Sequence, residues 1–291
     1  MAVKARKPGF SPRLVRVLGQ VLGFAALCLG AFLFLFPFYY MVVGALQERP
    51  DPSIAGAFPG PDELSLVNFQ QINERVPLLQ ALLNSLIYTG GVILGTLTIG
   101  ILAGYALSRL RWRGRELVFN IVLLTLIVPF QLLMIPMYVM VVRTWGLGDT
   151  YLGMILPFLV NSTAVFVFRQ FFLQIPEEML DAARIDGAGE LRILTQIVLP
   201  LSRPAILTAG LITFIGPWNE FLWPFLVTKQ QELQPLAVAL ANYISTVAAS
   251  TANPFGAILA GAVVLAIPAV ALFVIFQRYF VQSETSAGLK E

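Results

Sequence analysis

From Val17 to Gln47 the chain carries no charged residue, a run longer than the roughly 20 apolar residues that a helix needs to cross a hydrocarbon core. Several further uncharged runs exceed that length. No other property of the sequence restricts the fold as much, because a lipid-embedded segment must satisfy its own backbone N–H and C=O groups, and a single long run does so only as a helix. The chain is 57% hydrophobic and 12% charged, whereas a soluble domain is about 25% charged. The expected class is an all-α integral membrane protein with six transmembrane helices.

The runs fall in an order that fixes a topology. Residues 1–16 are basic, with Lys4, Arg6, Lys7, Arg13 and Arg16; a topogenic tail and a nucleic-acid or lipid-binding arm share that composition. The next run is too long for the roughly 7–15-residue core of a signal peptide and reads as an uncleaved first span at 17–46. Residues 47–83 hold Pro50, Pro52, Pro59, Gly60, Pro61 and mixed charge, which marks an external loop. A core of five spans is expected over 84–280. Asn84-Ser85 opens the second span, to about Ser108. Its Gly91/Gly95 and Gly100/Gly104 pairs suit close helix packing, or the lining of a path. Later spans are expected at about 117–141, kinked by Pro129 and Pro136, and at 151–172, 204–227 and 255–276. Residues 228–253 read as an external loop and 281–291 as a tail. With the N-terminus inside, Arg109, Arg111, Arg113, Arg115, Arg169, Arg184, Arg192, Arg203, Arg278 and Lys290 are cytoplasmic beside the basic tail, and only Arg49, Arg75, Arg143 and Lys229 are external. The positive-inside rule favours that asymmetry.

Between the fourth and fifth spans lies 174–203, which is too charged to cross a membrane yet reads as structured. Pro176 suits a helix start, Glu177, Glu178 and Asp181 suit the positive end of its dipole, and Gly187 supplies a stop. A second short helix is expected from Glu190 to Leu199, closed by Pro200. Met179, Ala182 and Ala183 form one apolar stripe; Leu191, Leu194 and Val198 form another. Such short helices are marginal alone in water, so they pack either on the chain's own bundle or on a soluble partner.

Asp181-Ala182-Ala183-x-x-x-Gly187, nine residues, then Ile197-x-Leu199-Pro200 resembles the signature cytoplasmic loop of ABC-importer permeases, with Asp181 where Glu is usual. The fuller text, Pro176 to Ala188 and Ile197 to Ala205, resembles the sugar-importer branch, in particular the smaller maltose-type permease subunit. Leu133–Tyr138, Gly146–Gly153, Trp218–Pro224 and Gln277–Phe280 look like the same branch. The resemblance implies a type I ABC-importer permease fold whose loop carries cytoplasmic coupling helices. Asp181, Ala182, Ala183, Asp186, Gly187, Ile197, Leu199 and Pro200 are then the coupling residues. It implies a transport subunit of a bacterial or archaeal plasma (inner) membrane, with both termini cytoplasmic. The implied partners are a second homologous permease, a dimer of ATPase subunits carrying the ATP, an extracellular sugar-binding protein and the surrounding lipid, with no nucleic acid.

Few residues could carry chemistry. There is no histidine, one cysteine (Cys28) and no Gly-Lys-Ser/Thr phosphate loop, so no cofactor, metal site or catalytic residue is expected in this chain. Glu220 is the sole carboxylate deep in an expected span. A charge at that depth faces the bundle or a water-filled path. With Trp218 and Asn219 it could form a wall for sugar, make a structural hydrogen bond or sit near the external mouth. Alternatives to the sugar importer are a permease for a polyol or glycerol phosphate and, from another class, a self-contained ion-coupled transporter, which usually holds more ionisable residues in its spans.

Overall fold

The computed structural model describes residues 12–247 and 254–287, with side chains described for 16–246 and 254–277. Lys4, Arg6, Lys7 and Lys290 lie outside the described residues, and the side chains of Arg13 and Arg278 lie outside those described. Among the described residues all regular structure is helical, apart from an isolated bridge between Gln47 and Leu64. Three helices are long and apolar enough to cross a membrane: Arg16–Ala45, Leu78–Ser108 and Pro254–Gln277. Three bent pairs bring the number to as many as six, counted by length and composition.

The chain divides into two units. Of the described residues, the first holds 12–72 together with 254–264. Helix α1 (Pro12–Ala45) leaves most of its apolar side chains exposed from Val17 to Tyr39, as a helix does when lipid surrounds it. α2 (Val67–Arg75) is tied to the end of α1 by the buried Asn68, whose amide donates to the carbonyls of Ala45 and Gln47.

The second unit is built on α3 (Leu78–Ser108). This helix begins six residues before the expected Asn84-Ser85 start, since 84 minus 78 is 6. Pro77 caps it, and Asn84 and Ser85 have another task. The Asn84 amide donates to the carbonyls of Glu232 (2.7 Å) and Gln234 (3.0 Å), and the Ser85 hydroxyl accepts from Leu236 N–H (2.8 Å). These bonds seat a segment expected to be an external loop. It contains a packed helix, Leu236–Asn242, with Leu236, Val238, Ala239 and Leu240 buried.

The glycines of α3 are packing sites. A Cβ on Gly104 would lie 2.7 Å from Phe168 Cβ and 3.1 Å from Arg169 N, and one on Gly100 would lie 3.2 Å from Ala164 Cβ. Gly91 and Gly95 meet Ile155 and Leu159 in the same way. The facing segment is α6 (Tyr151–Ile155) with α7 (Ser162–Phe172), so small residues on one helix admit large ones from the other.

Three expected continuous spans are broken. α4 (Arg115–Thr125) and α5 (Phe130–Tyr138) meet at 94°, far beyond a kink. Tight turns at Leu126, Ile127 and Val128 end α4, and the extended Pro129 starts α5. The helix then passes through Pro136 and widens into a π turn over Val139–Thr144. α6 and α7 meet at 48° where the Asn161 side chain caps Ala164 N–H at 3.0 Å. The expected 204–227 span is α11 (Arg203–Asn219) and α12 (Leu222–Val227), separated at Glu220 and Phe221.

Candidate functional site

The charged loop folds on the bundle's own core. α8 (Glu177–Ile185) starts after an extended Pro176, which therefore caps the helix rather than opening it. It ends in a Schellman arrangement. Gly187 takes φ +84°, its N–H donates to Arg184 O (3.0 Å), and Ala188 N–H donates to Ala183 O (2.9 Å). The following helix runs from α9 (Glu190–Ile193) through a π turn, Leu194–Val198, to α10 (Leu199–Leu201). Pro200 does not close it. The ladder has already widened at the π turn, so a residue without N–H fits there, and the helix stops at Ser202.

Ionic contacts lock the two halves of the loop. Arg184 donates to Glu190 Oε1 (2.8 Å) and to Asp181 Oδ1 (2.8 Å), and the Tyr105 hydroxyl donates to Glu190 Oε2. The hydrogen bond from Arg184 holds the Glu190 carboxyl below its ordinary range, and the two carboxylates raise Arg184. The basic turn after α3 anchors the loop from the other side. Arg109 donates to the carbonyls of Phe172 and Ile175, and Arg111 pairs with Glu177 at 2.7 Å. Buried Arg169 bonds both oxygens of Glu116 and lies 3.8 Å above the Phe119 ring. None of these contacts was read from the sequence, where the arginines signalled topology alone.

The loop has an inner and an outer face. Leu180, Ile193, Leu194 and Val198 are buried in one core with Tyr105, Phe168, Phe172, Ala205 and Ala209, and Ala183, Ile197 and Leu199 pack against it. Asp181, Ala182, Asp186, Gly187 and Pro200 face outward. The first stripe is therefore one residue out of phase: Leu180 points in, while Met179 and Ala182 point out. In the second, Leu191 is 71% exposed and Ile193 takes the inner position. Ile185, 86% exposed, was not singled out. An isoleucine in a charged segment was the available signal.

Trp218, Asn219 and Glu220 do not form one wall. Trp218 is buried, stacks on Phe214 (ring centroids 5.2 Å apart) and donates to Leu265 O at 3.1 Å. The Asn219 amide returns to Ile215 O (2.9 Å). Glu220 lies in the break between α11 and α12, where its Oε1 accepts the N–H groups of Leu222 (2.9 Å) and Trp223 (3.2 Å). It also lines a cavity of about 200 Å³ among α3, α7 and α11, with Tyr88, Asn161, Thr163 and Thr213. Those four polar residues carry no periodic mark in the sequence. Among the described residues no cluster of His, Cys, Asp and Glu could hold a metal.

Trp223 anchors the resemblance motifs to one another. Its indole N–H donates to Gly153 O (3.2 Å), and Asp149 Oδ1 accepts from Lys229 and Gln230 N–H. The motifs at 146–153 and 218–224 are thus two sides of one structural joint.

Residues 96–285 match the family described as "Binding-protein-dependent transport system inner membrane component". The chain is 35% identical over 264 residues to the sn-glycerol-3-phosphate transport system permease protein UgpE of Yersinia pestis bv. Antiqua, covering 88% of this chain and 92% of that protein. It is 34% identical over 272 residues to the arabinooligosaccharides transport system permease protein AraQ of Halalkalibacterium halodurans, covering 92% and 95%. Among solved structures, a chain of a bacterial ABC transporter that imports the acidic polysaccharide alginate superposes with a TM-score of 0.80 at 24% identity, covering 94% of this chain and 100% of that one. The inward-facing MetNI methionine ABC transporter gives 0.52 at 20% identity, covering 69% and 93%. These two likenesses are of fold.

Proposed function

This chain belongs to the family of binding-protein-dependent transport system inner membrane components, the permease subunits of ABC importers, and on that premise we propose that its 174–203 loop is the coupling element to a separate ATPase. The observation that carries the proposal is the two-faced loop. Its inner face shares a core with α3, α7 and α11, and its outer face leaves Met179, Ala182, Ile185 and Leu191 without cover. Exposed apolar side chains on a charged, ion-paired element suit a protein surface rather than water.

In this reading a dimer of ATPase subunits binds ATP and closes, the docked loops follow, and this chain and a second homologous permease rock as rigid bodies between inward-open and outward-open forms. The outer-face contacts must be stronger in one state than the other, or they shift nothing. An extracellular binding protein delivers the cargo, which we read as a sugar, with a polyol or glycerol phosphate as the rival. In this reading both termini and the basic turn at 109–115 are cytoplasmic, as is the loop.

Ile185→Asp and Ala182→Asp test the loop. Both positions face outward, whereas a charge at Ala183 would disturb the loop's own packing. Co-purification in mild detergent should recover a P-loop ATPase and a second permease with the wild type, and should lose the ATPase with either variant while the second permease stays. Full ATPase recovery and uptake in both variants would refute the assignment.

A further inference from the structure

We infer that the cavity among α3, α7 and α11 takes a neutral, hydroxyl-rich solute and that Glu220 and Tyr88 set its selectivity against anions, an inference that rests on the importer reading above. The Tyr88 side chain is fully buried and lines the cavity, yet its hydroxyl has no hydrogen-bond partner. A buried hydroxyl left unpaired is costly, and a small turn of the ring toward the cavity would let a ligand hydroxyl satisfy it.

Glu220 supplies the complementary group. Its Oε1 is held by the first N–H groups of α12, a position that suits a carboxylate at the positive end of a helix. With Oε1 so occupied, Oε2 remains the acceptor for a donor in the cavity. A carboxylate accepts only, and a phenol both donates and accepts, so the pair fits neighbouring hydroxyls of a saccharide or polyol. Phe158, Val92 and Ile212 give the remaining wall an apolar surface for the C–H face of a sugar ring.

This chain's share of the lining disfavours a phosphate or carboxylate ligand. No lysine or arginine of this chain lines the cavity, so a second anion would face the Glu220 carboxylate with no counter-charge from this chain. Rejection by like charge is a recognised source of specificity. The cavity therefore separates the two cargo classes between which sequence similarity to permeases for glycerol phosphate and for arabino-oligosaccharides does not choose.

The test is ATP-dependent uptake by the assembled transporter in proteoliposomes, with its permease partner, ATPase and binding protein. Labelled neutral di- and trisaccharides and labelled sn-glycerol 3-phosphate are the probes, and Tyr88→Phe and Glu220→Gln are the variants. Glutamine keeps an oxygen to cap α12 while removing the charge, and ATPase recovered with each variant reports assembly. The expected result is uptake of a neutral saccharide and not of the phosphate ester, with half-saturation raised about 3- to 10-fold in each variant, the range for one lost hydrogen bond. Uptake of the phosphate ester by the wild type, or unchanged half-saturation in both assembled variants, would overturn this assignment and leave the importer reading standing. Loss of all ATP-dependent uptake together with failure to recover any ATPase with the wild type would overturn both.

Discussion

Gly187 is the residue on which the loop turns. At φ +84° it occupies a region that costs an L-residue roughly 1–2 kcal/mol, and more for a β-branched one. Gly187→Val should weaken ATPase recovery while leaving membrane insertion unchanged, as read by membrane fractionation beside co-purification. Arg109 acts one layer deeper, holding the carbonyls that end α7 and precede α8. Arg109→Gln should raise protease sensitivity around 174–190, because a charge-assisted bond of this kind is worth about 1.5–3 kcal/mol. The Arg184–Glu190 pair predicts a pH response. Glu190's carboxyl lies below its reference value of 4.5 in the folded loop. Its contribution is therefore complete above about pH 4.5 and is lost as pH falls through the lowered value. Amide exchange protection in 184–190 should fall over that acid window in the wild type, and Glu190→Gln should abolish the transition. The chemistry of this loop was legible in part: a glycine stop, carboxylates at the helix start and short helices. The direction of its faces was not. Leu180/Ala183 and Met179/Ala182 are both helical spacings, and only the bundle beneath decides which of the two points in.

At the scale of elements, α3 and α7 show how far glycine spacing can be read. The sequence supports close packing at Gly100 and Gly104, and the structure supplies Phe168 and Arg169 as the close neighbours. Gly104→Val would drive a side chain into the Phe168 Cβ and the Arg169 backbone, neither of which can swing away. Overpacking of that kind costs about 1–3 kcal/mol, so detergent-extracted yield on size exclusion should collapse. Gly90→Val, where nothing lies within 4 Å, should leave it intact. The breaks were harder to read. Hydropathy along a sequence carries no direction, so a run that turns through 94° at Pro129 looks the same as one that runs straight. Asn161 is a competent cap, but a lone asparagine in an apolar run is also compatible with an uninterrupted helix. Leu236–Asn242 escaped because seven residues are too few to register as a span, and the groups that seat it, Asn84 and Ser85, lie about 150 positions away.

For the molecule as a whole, long apolar runs and a low share of charged residues were enough to assign the class, and the resemblance motifs were enough to reach the family. The orientation proposed above has a direct check. Ile185→Cys, made with Cys28→Ser, should react with a membrane-impermeant maleimide in inside-out vesicles, stay silent in intact cells and be shielded when the ATPase is bound. Labelling in intact cells would invert the topology and remove the loop from the compartment that holds ATP. The shared core that joins the loop to Ala205 and Ala209 has a mechanical consequence. α11 behaves as a rod about 25 Å long, from its 17 residues at about 1.5 Å each, gripped at its foot by the loop and bearing Glu220 just past its tip. On the coupling proposed above, a swing of about 10° at the foot would carry the tip about 4 Å, so a small push below would become a change of bore above.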